Sequence, residues 1–193
     1  MLGLLTPTDP RWIEAARDDL DGLLSDHAHC ELKAAHSALA LVSKYGGDYP
    51  VIVQPLTDLA VEETGHFRQV HARLEKRGRD FERPEQDGYV NALWNSSKHD
   101  RDPREVLLDR LLVSCLIEAR SCERFKLLAE HLEGELAEFY RELMAAEARH
   151  YRLFCSLAEQ LFGVKRSRER LEVLASREAS VAGQLPLGPK VHG

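Results

Sequence analysis

Two stretches of the chain carry one pattern. Glu63-Thr64-Gly65-His66-Phe67-Arg68 and Glu147-Ala148-Arg149-His150-Tyr151-Arg152 both read Glu-x-x-His-aromatic-Arg. On a helix, positions i and i+3 share a face, so each copy turns a carboxylate and an imidazole toward one point. That donor pair suits iron or manganese. Two such helices, each partnered by a lone Glu on a neighbouring helix, build a bimetal site inside a four-helix bundle. The bare motif is weak evidence, because 20 Glu and 9 His in 193 residues make about one chance occurrence expected. The partners strengthen it. Glu31 precedes Glu63 by 63 − 31 = 32 residues, and Glu118 precedes Glu147 by 147 − 118 = 29. Such a spacing is half a helix, a turn and half a helix back, which levels the residues in an antiparallel pair.

The rest of the chain supplies those helices. Asp9-Pro10 predicts a helix start, an acid at the N-cap and Pro at the first turn. That helix should reach about Leu24, with a break or recap at Ser25-Asp26. The apolar stripe Ala28, Leu32, Ala35, Leu39, Val42 then continues to Tyr45, and Gly46-Gly47 stops it. A second long helix should begin at Val51 or Pro55 and end at Arg77, closed by Gly78. Residues 78–104 hold Gly78, Pro84, Gly88 and Pro103 and read as a crossover with a short helix near Gly88–Asn95. Asp102-Pro103 opens a third helix to about Leu132. A fourth should run from Glu135 to Phe162, and a charged one from Arg166 to Val181. Nothing argues for strands. The expectation is a single all-α domain over residues 1–193: a four-helix bundle with a long crossover between helices two and three and additional flanking helices. Residues 1–7 and 183–193 should be extended tails.

Composition narrows the function. No apolar run approaches a membrane span, and the first residues do not read as a signal peptide, so the expected location is cytoplasmic, with no membrane partner. Cys30, Cys115, Cys122 and Cys155 form no Cys-x-x-Cys pair and should be reduced core thiols. The net charge is −6, so a nucleic-acid partner would need local basic patches.

The six candidate metal ligands are Glu31, Glu63, His66, Glu118, Glu147 and His150. Glu118 follows the apolar run 111–117, where an ionised carboxylate is costly unless paired or metal-bound. Its rival Glu123 lies in a more polar stretch. Arg68 and Arg152 could orient the histidines through neighbouring acids or be solvated. Tyr151 should point about 100° away from His150. Ser121, Cys115 and Cys122 lie within about a turn of Glu118 and could line a pocket or simply be core. His27, His29 and His36 flank Glu31, but at most one could face the site.

These ligands, the crossover and the C-terminal helix resemble the ferritin-like di-iron carboxylate proteins. The stretches 29–35, 62–67, 117–125 and 147–151 are similar, more narrowly, to the bacterial tRNA 2-methylthio-N6-isopentenyladenosine hydroxylase family. Ile117-Glu118-Ala119-Arg120-Ser121-Cys122-Glu123-Arg124-Phe125 points to that family in particular. The resemblance spans roughly residues 8–180. It implies two iron ions, O2 as co-substrate, an external electron donor and hydroxylation of the isopentenyl group on a tRNA adenosine beside the anticodon. A tRNA surface would then come from Lys76-Arg77-Arg79 with Arg83, from Lys98, Arg101 and Arg104, or from Lys165, Arg166, Arg168 and Arg170. Trp94 or Tyr89 could stack on a base. Other readings of the same ligands are iron oxidation and storage, or a peroxide-consuming di-metal enzyme. A metal-free helical module would leave the acids solvated.

Overall fold

The computed structural model describes residues 2–84, 88–97 and 102–192. The long helices begin and end on local chemistry. α1 (Arg11–Asp18) starts where the Asp9 carboxylate accepts from the Arg11 N–H at 2.9 Å. α2 (Leu20–Tyr45) is recapped at Asp19, whose Oδ1 accepts from the Gly22 N–H at 2.8 Å. The break expected at Ser25-Asp26 is therefore six residues earlier, because Asp19 takes the cap and Ser25 and Asp26 continue the helix. A 3₁₀ turn (Pro50–Ile52) leads into α3 (Val53–Lys76). α4 (Gly88–Ser97) is the short crossover helix. α5 (Pro103–His131) starts at Asp102, which accepts from the Arg104 N–H at 2.9 Å. α6 (Gly134–Phe162) and α7 (Val164–Ala182) meet at Gly163, whose φ of +86° turns the corner without a Cβ penalty. No strand occurs among the described residues.

These elements pack as two compact units. One contains residues 15–84 and Pro189–Val191. In it α2 and α3 form an antiparallel hairpin over Leu23, Leu24, Ala28, Leu41, Leu56, Val70 and Leu74, all at most 1% exposed. Truncating such a leucine to alanine costs about 2–5 kcal/mol.

The other unit contains the N-terminal segment to Glu14, the chain from α4 through α7, and His192. Here α5 and α6 pair, α7 packs on both, and α4 packs on α5 and α7. Trp12, 1% exposed, lies beneath the Arg124 guanidinium at 4.9 Å from the ring centroid. Phe125 and Phe139 pack on Tyr140 at 5.4 and 5.3 Å.

Both terminal tails lack helix and strand among the described residues, and both make fixed contacts. In the second unit Leu4 is buried and the Thr6 carbonyl accepts from Arg120 Nη2 at 3.0 Å. His192 is buried there too. In the first unit Val191 is buried, and its N–H donates to Asp26 Oδ2 at 2.7 Å. Composition does not reveal these contacts, in which a few backbone groups find fixed partners.

Candidate metal centre

Each unit carries one candidate triad. In the first, α2 supplies Glu31 and α3 supplies Glu63 and His66, respectively 4%, 1% and 7% exposed. One donor atom from each lies within 4.8 Å of the others. His66 Nδ1 is 3.2 Å from Glu63 Oε2 and 3.7 Å from Glu31 Oε2. Burial alone would raise the Glu31 pKa. The imidazoles of His27 and His66 outweigh it and hold the carboxyl below its usual range. Burial likewise disfavours a charged His66, but Glu31 and Glu63 override it and push its pKa up to about 10.

His27 completes this triad. It is fully buried, and its Nε2 lies 2.7 Å from Glu31 Oε1. Of the three histidines flanking Glu31, it alone turns to the carboxylate. His29 stacks on Phe81 at 4.3 Å and meets the Glu82 carbonyl at 2.8 Å, and His36 is exposed. The i, i+4 relation of His27 to Glu31 was the available signal.

In the second unit α5 supplies Glu118 and α6 supplies Glu147 and His150, respectively 6%, 3% and 3% exposed. One donor atom from each again lies within 4.8 Å of the others. His150 Nδ1 stands 3.9 Å from Glu147 Oε2. Glu123 faces elsewhere. Its Oε2 accepts from the Thr8 hydroxyl and from Arg120 Nη1, both at 2.6 Å.

Each triad thus offers two carboxylates and an imidazole in a buried setting. Ionised carboxylates are costly there unless paired or metal-bound. Such oxygen-rich sets with nitrogen donors suit iron or manganese, and among the described residues no cysteine joins them.

The other candidates fall in several places. Arg68 is exposed, and Arg152 turns back to its own helix at the Ala148 carbonyl, 3.0 Å away. Tyr151 is half-buried, and burial raises its phenol pKa. Ser121 Oγ lies 2.9 Å from His192 Nε2, and Cys122 Sγ lies 3.4 Å from the Met144 carbonyl. Cys115 and Cys155 form a disulfide, with Cα atoms 6.2 Å apart, so the expectation of reduced thiols holds for Cys30 and Cys122 only. Spacing could not foresee the pair, because α5 and α6 align those positions only once packed.

Of the proposed tRNA contacts, Lys98 and Arg101 lie outside the described residues. Arg104 is exposed, with its guanidinium 5.8 Å from the Phe162 ring centroid. Arg166 pairs with Glu105, which brings the start of α7 beside the start of α5. Lys165 projects into solvent, 3.9 Å from Glu169. Arg168 and Arg170 are engaged by Glu159 and Asp109 at 3.0 and 2.7 Å. Trp94 is half-buried, with Arg110 stacked 4.7 Å from its ring centroid. In the first unit Arg77 and Arg79 clasp Asp21.

Sequence reading also missed a buried polar network in the second unit. Arg120, 1% exposed, donates to Glu178 Oε1 from Nε at 3.0 Å and from Nη2 at 2.7 Å. It also donates to the Thr8 hydroxyl at 3.1 Å. The Tyr89 hydroxyl donates to the same Glu178 oxygen at 2.9 Å. Burial and the Glu178 charge raise the Tyr89 pKa well above its ordinary value. Tyr89 stacks on His192 at 5.5 Å, so it is internal structure here and no base-stacking platform.

Residues 2–193 match the family model described as tRNA-(MS[2]IO[6]A)-hydroxylase (MiaE). The chain belongs to this hydroxylase family. It is 41% identical over 152 residues to the tRNA 2-(methylsulfanyl)-N(6)-isopentenyladenosine(37) hydroxylase of Pseudomonas putida, covering 79% of this chain and 73% of that one. The protein of the same name from Salmonella typhimurium is 33% identical over 203 residues, covering 80% of this chain and 74% of that one. A solved structure, protein 43 with aldehyde deformylating oxygenase activity from Synechococcus, aligns at a TM-score of 0.91 and 39% identity, over 98% of this chain and 95% of that one. The fold is thus the ferritin-like all-α one that the ligand spacing required. The family makes the chain an oxidoreductase. Among the described residues no helix is long and apolar enough to cross a membrane.

Proposed function

We propose that this chain is the O2-dependent hydroxylase of the isopentenyl group of 2-methylthio-N6-isopentenyladenosine in tRNA, next to the anticodon. The observation that carries this is the buried Glu, Glu, His triad in each unit of a chain belonging to that hydroxylase family. Glu31, Glu63 and His66, with Glu118, Glu147 and His150, would hold two irons. When bound, the irons supply the activation of dioxygen. In the balanced reaction one oxygen atom enters a C–H bond and the other leaves as water. Two electrons and two protons come from outside, so the reading requires an electron-transfer partner. The protein's part is to fix the donors and hold their charge. His27 orients Glu31 through its 2.7 Å contact, and the buried surroundings of both triads keep bulk water from competing for the ligands. The cytoplasm, where tRNA is modified, is the compartment this reading requires.

The tRNA surface we propose centres on Arg104, Lys165 and Arg166, with Arg101 and Trp94 beside them in sequence. The Arg166–Glu105 pair supports grouping them, since it joins the two cationic segments. The storage and peroxide readings draw no support from the relatives. The test is nucleoside mass spectrometry of prenylated tRNA incubated with iron-loaded protein, O2 and a chemical reductant. The expected result is a product one oxygen heavier than 2-methylthio-N6-isopentenyladenosine, absent with Glu118→Ala. No such product from iron-replete protein would overturn the reading. Charge reversal at Arg104 and Lys165 should weaken tRNA binding and flatten its salt dependence while leaving iron content unchanged.

A further inference from the structure

The Cys115–Cys155 disulfide opens on one side only. Cys115, on α5, is 0% exposed. Cys155, on α6, is half-buried and lines a cavity of about 320 Å³. Leu112, Tyr151, Glu159, Ser167 and Arg168 line it too. Two features of this cavity lack a role in the chemistry described so far. Ser167 is 2% exposed, and its buried Oγ has no hydrogen-bond partner among the described residues. The Arg168 side chain is 69% exposed and meets Glu159 through Nε. A cation paired with Glu159, a buried hydroxyl without a partner among the described residues and the half-buried Cys155 therefore share one opening.

We infer that Cys155 is a thiol–disulfide exchange site that takes anionic low-molecular-weight thiols through this cavity. The incoming thiolate attacks Cys155 Sγ, forming a mixed disulfide as the bond to Cys115 Sγ breaks. The electron pair leaves on Cys115, which takes up the proton that the incoming thiol gave up on ionising. An acceptor already waits for that thiol: Cys115 Sγ lies 3.5 Å from the Tyr151 carbonyl. A second thiolate then attacks the external sulfur of the mixed disulfide. It releases the Cys155 thiolate and an oxidised thiol dimer, so two external thiols are oxidised and one protein disulfide is reduced. Attack at Cys115 is blocked because that sulfur is buried, and exchange depends on access as well as on thiolate character. Arg168, through the guanidinium N–H groups that Glu159 does not engage, favours a thiol that carries carboxylates, and the Ser167 hydroxyl can bond an amide of the same molecule. In the reducing compartment that the proposed function requires, disulfides are commonly transient or redox-sensing, which fits an open bond better than a sealed one.

The test uses the full-length, iron-loaded protein purified without reductant. Free thiols are first alkylated under denaturing conditions, with Cys30 and Cys122 expected to be modified and Cys115 and Cys155 protected. A second sample is exposed briefly to reduced glutathione, quenched in acid and alkylated. Peptide mass spectrometry should place the glutathione adduct on Cys155 and the alkyl group on Cys115. Arg168→Glu should slow adduct formation by about tenfold with glutathione but not with cysteamine, which has no carboxylate. Four alkylated cysteines in the first sample would overturn the inference. So would an adduct found mainly on Cys115 or Cys122, or equal slowing of both thiols by Arg168→Glu.

Discussion

The α2–α3 and α5–α6 hairpins carry the same Glu-x-x-His motif but hold it differently. In α2–α3 the carboxylates are supported by imidazoles: His27 on Glu31, and His66 between Glu31 and Glu63. That hairpin's ends are tied by an exposed clasp of Asp21 with Arg77 and Arg79. In α5–α6 a disulfide joins the two ligand helices, and the buried Arg120 network fastens α5 to α7 and to the N-terminal segment. One motif can thus sit on two kinds of support, hydrogen-bonded in one hairpin and covalent and ionic in the other. Support of the first kind should tune metal affinity. Support of the second kind should govern stability.

The largest effect should come from Arg120→Ala. It leaves Glu178, which is fully buried, without its cation, and breaking such a pair costs about 3–5 kcal/mol. Urea unfolding measures it. Loss of less than about 1 kcal/mol, the range of a surface pair, would show that the network is idle and the contrast false.

Next come the two acids of α5. Glu118→Ala should lower iron content sharply. Glu123→Ala should leave iron in place and cost about 1–3 kcal/mol by stranding its donors. The reverse pattern would mean that the α5 ligand has been misassigned.

His27→Ala should weaken iron binding by about 10- to 100-fold while the unfolding midpoint moves little, since it removes an orienting partner. A competition titration against a chelator reads it. An unchanged affinity would remove the special role given to imidazole support in α2–α3.

The smallest effect belongs to the Asp21 clasp. Hydrogen bonds from Arg77 and then Arg79 lower the Asp21 pKa below its ordinary 3.8. The folded value lies below the unfolded one, so the stabilisation is full above that ordinary value and fades as pH falls through the folded one. Asp21→Asn should cost at most about 1 kcal/mol at neutral pH, less in high salt, and nothing at the acid end. A cost that persists unchanged in strong acid would point to packing instead.

The helices were legible in the sequence because caps and breakers are local: Asp102-Pro103, Gly134 and Gly163 act where they stand. The clustering of Glu63 with His66 and of Glu147 with His150 was legible because Glu-x-x-His is a one-turn pattern. His27 was half-legible, since three histidines competed and only rotation about α2 separates them. The Arg120–Glu178 pair was not, because its partners lie 58 residues apart and meet only when α7 packs on α5. The cap at Asp19 was missed because three acids, Asp18, Asp19 and Asp21, crowd the same turn and sequence does not rank them.

The central claim is that both triads together hold two irons. Anaerobic reconstitution with ferrous iron, removal of unbound metal and measurement of iron per chain test it most directly, in the native protein and in Glu31→Ala and Glu118→Ala. We predict about two irons per native chain and a marked loss in both variants, one drawn from each hairpin. A folded native protein that retains no iron, or full occupancy in either variant, would contradict the account.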